Sequence, residues 1–126
     1  MENERRNFMR YRMKESVFAA VNYPTTILGK IKDMSLGGAS FEFITGSTEM
    51  AQQFGRYSLD IFMLNSGNSL PNMPCKIFFR MQQETENRSQ VFFSSNICVA
   101  EFKDLSQPQA RALLDFIMQN SVGYAA

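Results

Sequence analysis

The sequence contains no histidine and no tryptophan. Without histidine, zinc sites of mixed Cys/His type and His-based catalytic triads are excluded. Only two cysteines are present, Cys75 and Cys98, far apart and each within an apolar run. They are expected as reduced core thiols rather than as a disulfide or metal pair. No run of residues approaches the roughly 20 apolar positions that a membrane-crossing helix requires. The first six residues, Met1 to Arg6, are mostly charged and have no apolar stretch, so no secretory leader is expected there and the expected compartment is cytoplasmic. No Ser, Cys or Lys sits in a recognised nucleophile motif, and Asp33 alone does not make a catalytic pair. The chain is therefore expected not to be an enzyme, and no metal is expected.

What is present fits one domain of 126 residues with a modest core. Hydrophobic residues make up 44% and aromatics 13%, with 12 phenylalanines, a composition suited to a β-rich interior. The net charge of +1 is unevenly placed. Residues 1–14 carry Arg5, Arg6, Arg10, Arg12 and Lys14 against Glu2 and Glu4, a local charge of +3. The remaining chain carries 8 basic and 10 acidic side chains, a charge of −2. Basic character thus belongs to an arm. An arm suits a compact anion better than a long nucleic-acid track, which needs a broad basic face.

Residues 1–15 show no clear period and read as a flexible arm. Ser16–Val21 is a plausible first strand, followed by a turn at Tyr23-Pro24-Thr25. Thr26–Met34 reads as a second strand, with Ile27, Gly29 and Ile31 on one face and Leu28, Lys30 and Lys32 on the other. After a break at Ser35–Gly38, Ala39, Phe41 and Phe43 alternate with Ser40 and Glu42 as a half-buried strand. Thr45–Gly55 reads as irregular, with room for a short helical turn. Tyr57–Leu64 and Met73–Gln83 are further strands, separated by a loop at Asn65–Ser69. Gln90–Phe102 is long enough for one bent strand or two short ones. Ser106 and Gln109 form a capping box, and Ala110, Leu113, Leu114, Ile117 and Met118 make an apolar stripe, predicting a helix over about 106–120 with Gly123 as its stop. Six or seven short antiparallel strands and one helix predict a small barrel whose end the helix covers.

Two segments carry possible chemistry. Arg6 and Arg10 are separated by three residues, and each guanidinium offers a planar fork of donors for a phosphate or for the O6/N7 edge of guanine. Taken alone, such a pair is also what ordinary solvated surface charge looks like. Asp33 closes a strand and can accept N–H donors such as the guanine N1–H and N2–H2 edge; Ser35 can donate or accept. Gly37 and Gly38 permit close backbone approach. Ordinary turn chemistry explains the same four residues. On the fifth strand, Lys76, Phe78 and Arg80 share a face, where Arg80 is either a base-contacting group or plain solvated charge.

Together the segments resemble the PilZ domain family. That family is marked by Arg-x-x-x-Arg on an N-terminal arm, then Asp/Asn-x-Ser-x-x-Gly at an early strand end, and Arg6–Arg10 and Asp33–Gly38 match in that order. Gly29–Phe41 and Phe102–Ser106 with the following helix extend the likeness over nearly the whole chain. The resemblance implies a six-stranded antiparallel β-barrel with a C-terminal helix, an arm at 1–15 and a barrel at 16–126. It implies cyclic di-GMP as ligand, often bound as a stacked pair of molecules. By position, Arg6 and Arg10 would take phosphate and guanine contacts, with Arg5 adding a phosphate contact. Asp33 and Ser35 would take guanine edges, and Gly37 and Gly38 would give backbone room. Such modules act as switches read by a partner protein in motility, exopolysaccharide or pilus systems. Two other readings are a PilZ-fold interaction module of pilus or motility machinery that ignores the nucleotide, and a small barrel binding single-stranded nucleic acid, which the charge of −2 outside the arm disfavours.

Overall fold

The structure, a computed structural model, describes residues 8–23, 25–43, 55–82 and 95–125. Along the chain it has β1 (Tyr11–Met13), β2 (Val17–Tyr23), β3 (Thr25–Ser35), β4 (Gly38–Phe43), β5 (Gly55–Met63), β6 (Ser69–Gln82), β7 (Ser95–Phe102), α1 (Gln107–Asn120) and β8 (Ser121–Tyr124). The sheet runs β2-β5-β6-β7-β4-β3, and β3 pairs again with β2. These six strands close a barrel in which every pairing is antiparallel. Closure leaves none of the six with an open edge. β1 pairs with the C-terminal end of β3 and carries β8 on its other side.

Alternation explains most of the strands. Val17, Ala19 and Val21 of β2, Ala39 and Phe41 of β4, Leu59 and Ile61 of β5, and Cys98 and Ala100 of β7 are all buried. Each set steps by two, the period of a strand with one face in a core. β6 first absorbs a register shift where Asn72 takes φ 54°, then keeps the same logic through Met73, Cys75 and Ile77. The Asp60 carboxylate holds that kink by accepting from the Asn72 backbone N–H at 2.8 Å.

The helix begins as its sequence predicts. Ser106 accepts from the Gln109 backbone N–H, and the Gln109 side chain accepts from the Ser106 N–H. Its buried face differs from the expected stripe. Leu113, Phe116 and Ile117 join the barrel core and Asn120 is buried with them, whereas Leu114 and Met118 are exposed. The helix packs on β6 and β1, and that seat selects a set one position round from the one that apolarity alone suggests. Gly123 does not stop the helix. The chain leaves helical geometry at Ser121 and continues as β8, with Gly123 inside it.

Two strands were not anticipated. Tyr11–Met13 lies within the stretch read as arm, and Ser121–Tyr124 lies beyond the helix. Both are too short to show a period, and their partners are distant in sequence. The short helical turn expected within Thr45–Gly55 falls mainly outside the described residues, as does the start of the Gln90–Phe102 segment, of which β7 is the described part.

Candidate ligand site

The site is built around one irregularity in β3. Ile31 pairs with Phe41 and Asp33 with Ser40, so two steps on β3 match one on β4 and Lys32 is the extra residue of a β-bulge. Strict alternation from buried Ile31 would turn Asp33 into the core and Met34 outward. The bulge resets the phase: Met34 is fully buried, and the Asp33 side chain keeps 18% of its surface exposed. Bulges of this kind commonly re-aim a side chain beside a functional site.

Once outside, the Asp33 carboxylate meets the arm. The Arg10 guanidinium Nη2 lies 3.2 Å from Asp33 Oδ2, and the Ser40 hydroxyl donates to Oδ1 at 3.2 Å. Two segments 23 residues apart are thereby joined. The Arg10 carbonyl also accepts from the Ala125 N–H at 2.9 Å, which ties the base of the arm to the chain end. The arginine side chain is 51% exposed, so the pair contributes only about 0.2–1 kcal/mol and is readily rearranged. Each carboxylate oxygen accepts one bond and retains a lone pair for another donor.

The β3–β4 turn forms the floor. The Ser35 hydroxyl accepts from the Gly37 N–H at 3.0 Å, closing its own turn, and Ser35 is buried. The Gly37 carbonyl accepts from Phe102 N–H of β7 at 3.0 Å. A Cβ on Gly37 would stand 2.8 Å from the Phe8 ring, so this residue inside the arginine motif lies directly on the turn. A Cβ on Gly38 would lie 2.2 Å from the Ala100 carbonyl oxygen. Gly38 therefore lets β4 and β7 approach; its smallness is required by the barrel wall itself.

Of the expected site residues, Arg10, Asp33, Ser35, Gly37 and Gly38 are brought together. Arg5 and Arg6 lie outside the described residues. Arg80 is on β6, in register with Ile97 of β7, three strand spacings or about 14 Å around the barrel from β3. Lys76 and Phe78 do share the exposed outer face of β6, with the ammonium 5.7 Å from the ring centroid. The sequence did not single out Ser40 or Phe8. Ser40 was legible as an outward position between buried Ala39 and Phe41; only the register reveals that it opposes Asp33. Among the described residues no group of His, Cys, Asp or Glu is arranged to hold a metal ion.

The PilZ domain family model matches residues 4–119. The chain belongs to the PilZ domain family. No curated protein sequence matches this PilZ chain. Among solved structures it is similar to the PilZ domain of YcgR from Escherichia coli, described with cyclic di-GMP, at TM-score 0.70 and 15% identity over 91% of this chain and 90% of that one. It is similar also to YcgR in complex with cyclic di-GMP, at TM-score 0.64 and 14% identity over 91% of this chain and 45% of that one. MrkH, described as a cyclic di-GMP-dependent transcription regulatory factor, matches at TM-score 0.54 and 16% identity over 87% of this chain and 50% of that one. The PilZ chain thus spans about half the length of those last two. At these identities the likeness is one of fold.

Proposed function

We propose that this PilZ protein is a receptor for cyclic di-GMP, which it binds on the outer face of the β3–β4 end of the barrel. Asp33 accepts the N1–H and N2–H2 edge of a guanine through the lone pairs left by Arg10 and Ser40. Arg10 and Arg6 take phosphate and guanine contacts from the arm, with Arg5 beside them, and the Ser35–Gly38 turn supplies the floor. Arg80, on β6, is assigned as a further contact for a ligand that extends across β4 and β7. The observation that carries the reading is the 3.2 Å contact between Arg10 and Asp33: the two family motifs, far apart in sequence, converge on one exposed patch. The matched family, and the cyclic di-GMP named for YcgR and MrkH, support the choice of ligand.

Of the arm read as residues 1–15, the part before β1 acts as the closing half of the site, and β1 with residues 16–126 acts as the fixed half. Ligand and arm together form a surface that a partner protein reads in the cytoplasm, in motility, exopolysaccharide or pilus-related control. No described helix is long and apolar enough to cross a membrane. A labelled cyclic di-GMP displaced by unlabelled cyclic di-GMP but not by GMP at equal concentration supports the assignment. Equal displacement by both, or no binding of the label to folded protein, contradicts it. Pull-downs with and without the nucleotide test the adaptor role: a partner whose capture ignores the nucleotide contradicts it.

A further inference from the structure

One arginine outside the two motifs stands in the same row of the sheet. β1 places Arg12 directly opposite Asp33 on β3 and opposite Gly123 on β8. Directly opposed residues in a sheet project to the same face. Met13 is buried and Tyr11 packs against the core, so the intervening Arg12 points outward with Arg10. Both oxygens of the Asp33 carboxylate are already engaged, one by Arg10 and the other by Ser40. Arg12 is exposed, and the ion pairs among the described residues do not include it.

The far side of Arg12 is open. A Cβ built on Gly123 would meet nothing within 4 Å, and its φ of +152° is one that other residues rarely adopt. The strip therefore offers a guanidinium with no ion-pair partner among the described residues, between a carboxylate and a stretch of bare backbone. With Arg10, Arg12 and Asp33 together, this edge carries one net positive charge.

We propose that Arg12 is a further arginine of the site, binding a phosphodiester group of cyclic di-GMP, with Gly123 leaving room beside it. This rests on the ligand assignment above. Arg10 divides its donors between Asp33 and the ligand. Arg12 has no such competitor among the described residues, and its fork fits two phosphate oxygens. The family pattern of two arginines does not contain it, because its relation to Asp33 lies in register rather than in spacing.

The test titrates cyclic di-GMP into the full chain and into Arg12→Gln, Arg12→Lys and Arg10→Ala variants at low and moderate salt, with thermal midpoints measured alongside. The expected result is about tenfold weaker binding for Arg12→Gln with a flatter salt dependence. Arg12→Lys recovers part of both, and the midpoints stay unchanged because the side chain is exposed. Wild-type affinity and salt dependence in Arg12→Gln, while Arg10→Ala loses affinity, overturns the role of Arg12 and leaves the ligand assignment standing. A weaker Arg12→Gln whose midpoint falls and whose salt dependence is unchanged also overturns it, as a structural effect. Failure of the wild type to bind overturns the ligand assignment itself, and Arg12 with it.

Discussion

Asp33 shows how one residue's meaning depends on a neighbour that does nothing chemical. Its carboxylate reaches the surface because Lys32 is absorbed in a bulge. Period-two alternation read from the sequence gives no sign of that extra residue. Asp33→Ala and Arg10→Ala should each weaken cyclic di-GMP binding by about ten- to a hundredfold, the loss expected for a charge-assisted contact of about 1.5–3 kcal/mol. Competition binding checks this, and a change below threefold in either variant would count against the shared patch. Gly38 makes a different prediction. Since a Cβ there meets the Ala100 carbonyl at 2.2 Å, Gly38→Ala should cost about 1–3 kcal/mol of fold stability in urea unfolding. An unchanged unfolding midpoint together with lost binding would move that glycine's role from the barrel wall to the ligand.

At the scale of elements, the helix separates what is local from what is not. Its start was legible because Ser106 and Gln109 satisfy each other's backbone groups within four residues. Ser106→Ala should therefore cost about 1 kcal/mol, read from thermal or urea unfolding. Its buried face was only half legible. Leu113 is fully buried and Leu114 is 43% exposed, although both are apolar and adjacent. Leu113→Ala should cost about 2–5 kcal/mol, and Leu114→Ala less than about 0.5 kcal/mol; similar losses at both would contradict the observed seat of the helix. The barrel strands were legible wherever one face alternates with solvent, as in Ala39–Phe41. β1 and β8 were not, because three or four residues hold no period and their pairing is fixed by contacts made across the whole chain. Arg12 stayed hidden for the same reason: it meets Asp33 only through the β1–β3 register.

At the scale of the whole molecule, the barrel interior is a buried, largely apolar core that includes two thiols. Cys75 and Cys98 are free and buried. Burial pushes the Cys75 thiol up to about 12, and it pushes Cys98 in the same direction, with the charge of Cys75 adding to the effect. The unfolded chain releases these protons near the ordinary value of 9.0, while the folded chain holds them. Above that pH the unfolded state binds fewer protons than the folded one, so stability falls as pH rises. The urea midpoint should drop between about pH 8 and about pH 10, and it should drop less in a Cys75→Ala, Cys98→Ala variant. An equal drop in both proteins would mean that the thiols are not its source. The proposed site lies instead on the outer face, which gathers the two motifs at Arg10 and Asp33. Calorimetric titration of the full chain with cyclic di-GMP, run in parallel with Asp33→Ala, tests this most directly. Saturable binding by the wild type and a loss of about tenfold or more in the variant are expected. Folded wild-type protein that gives no binding heat up to high micromolar nucleotide, or an Asp33→Ala variant that binds as tightly as the wild type, would contradict it.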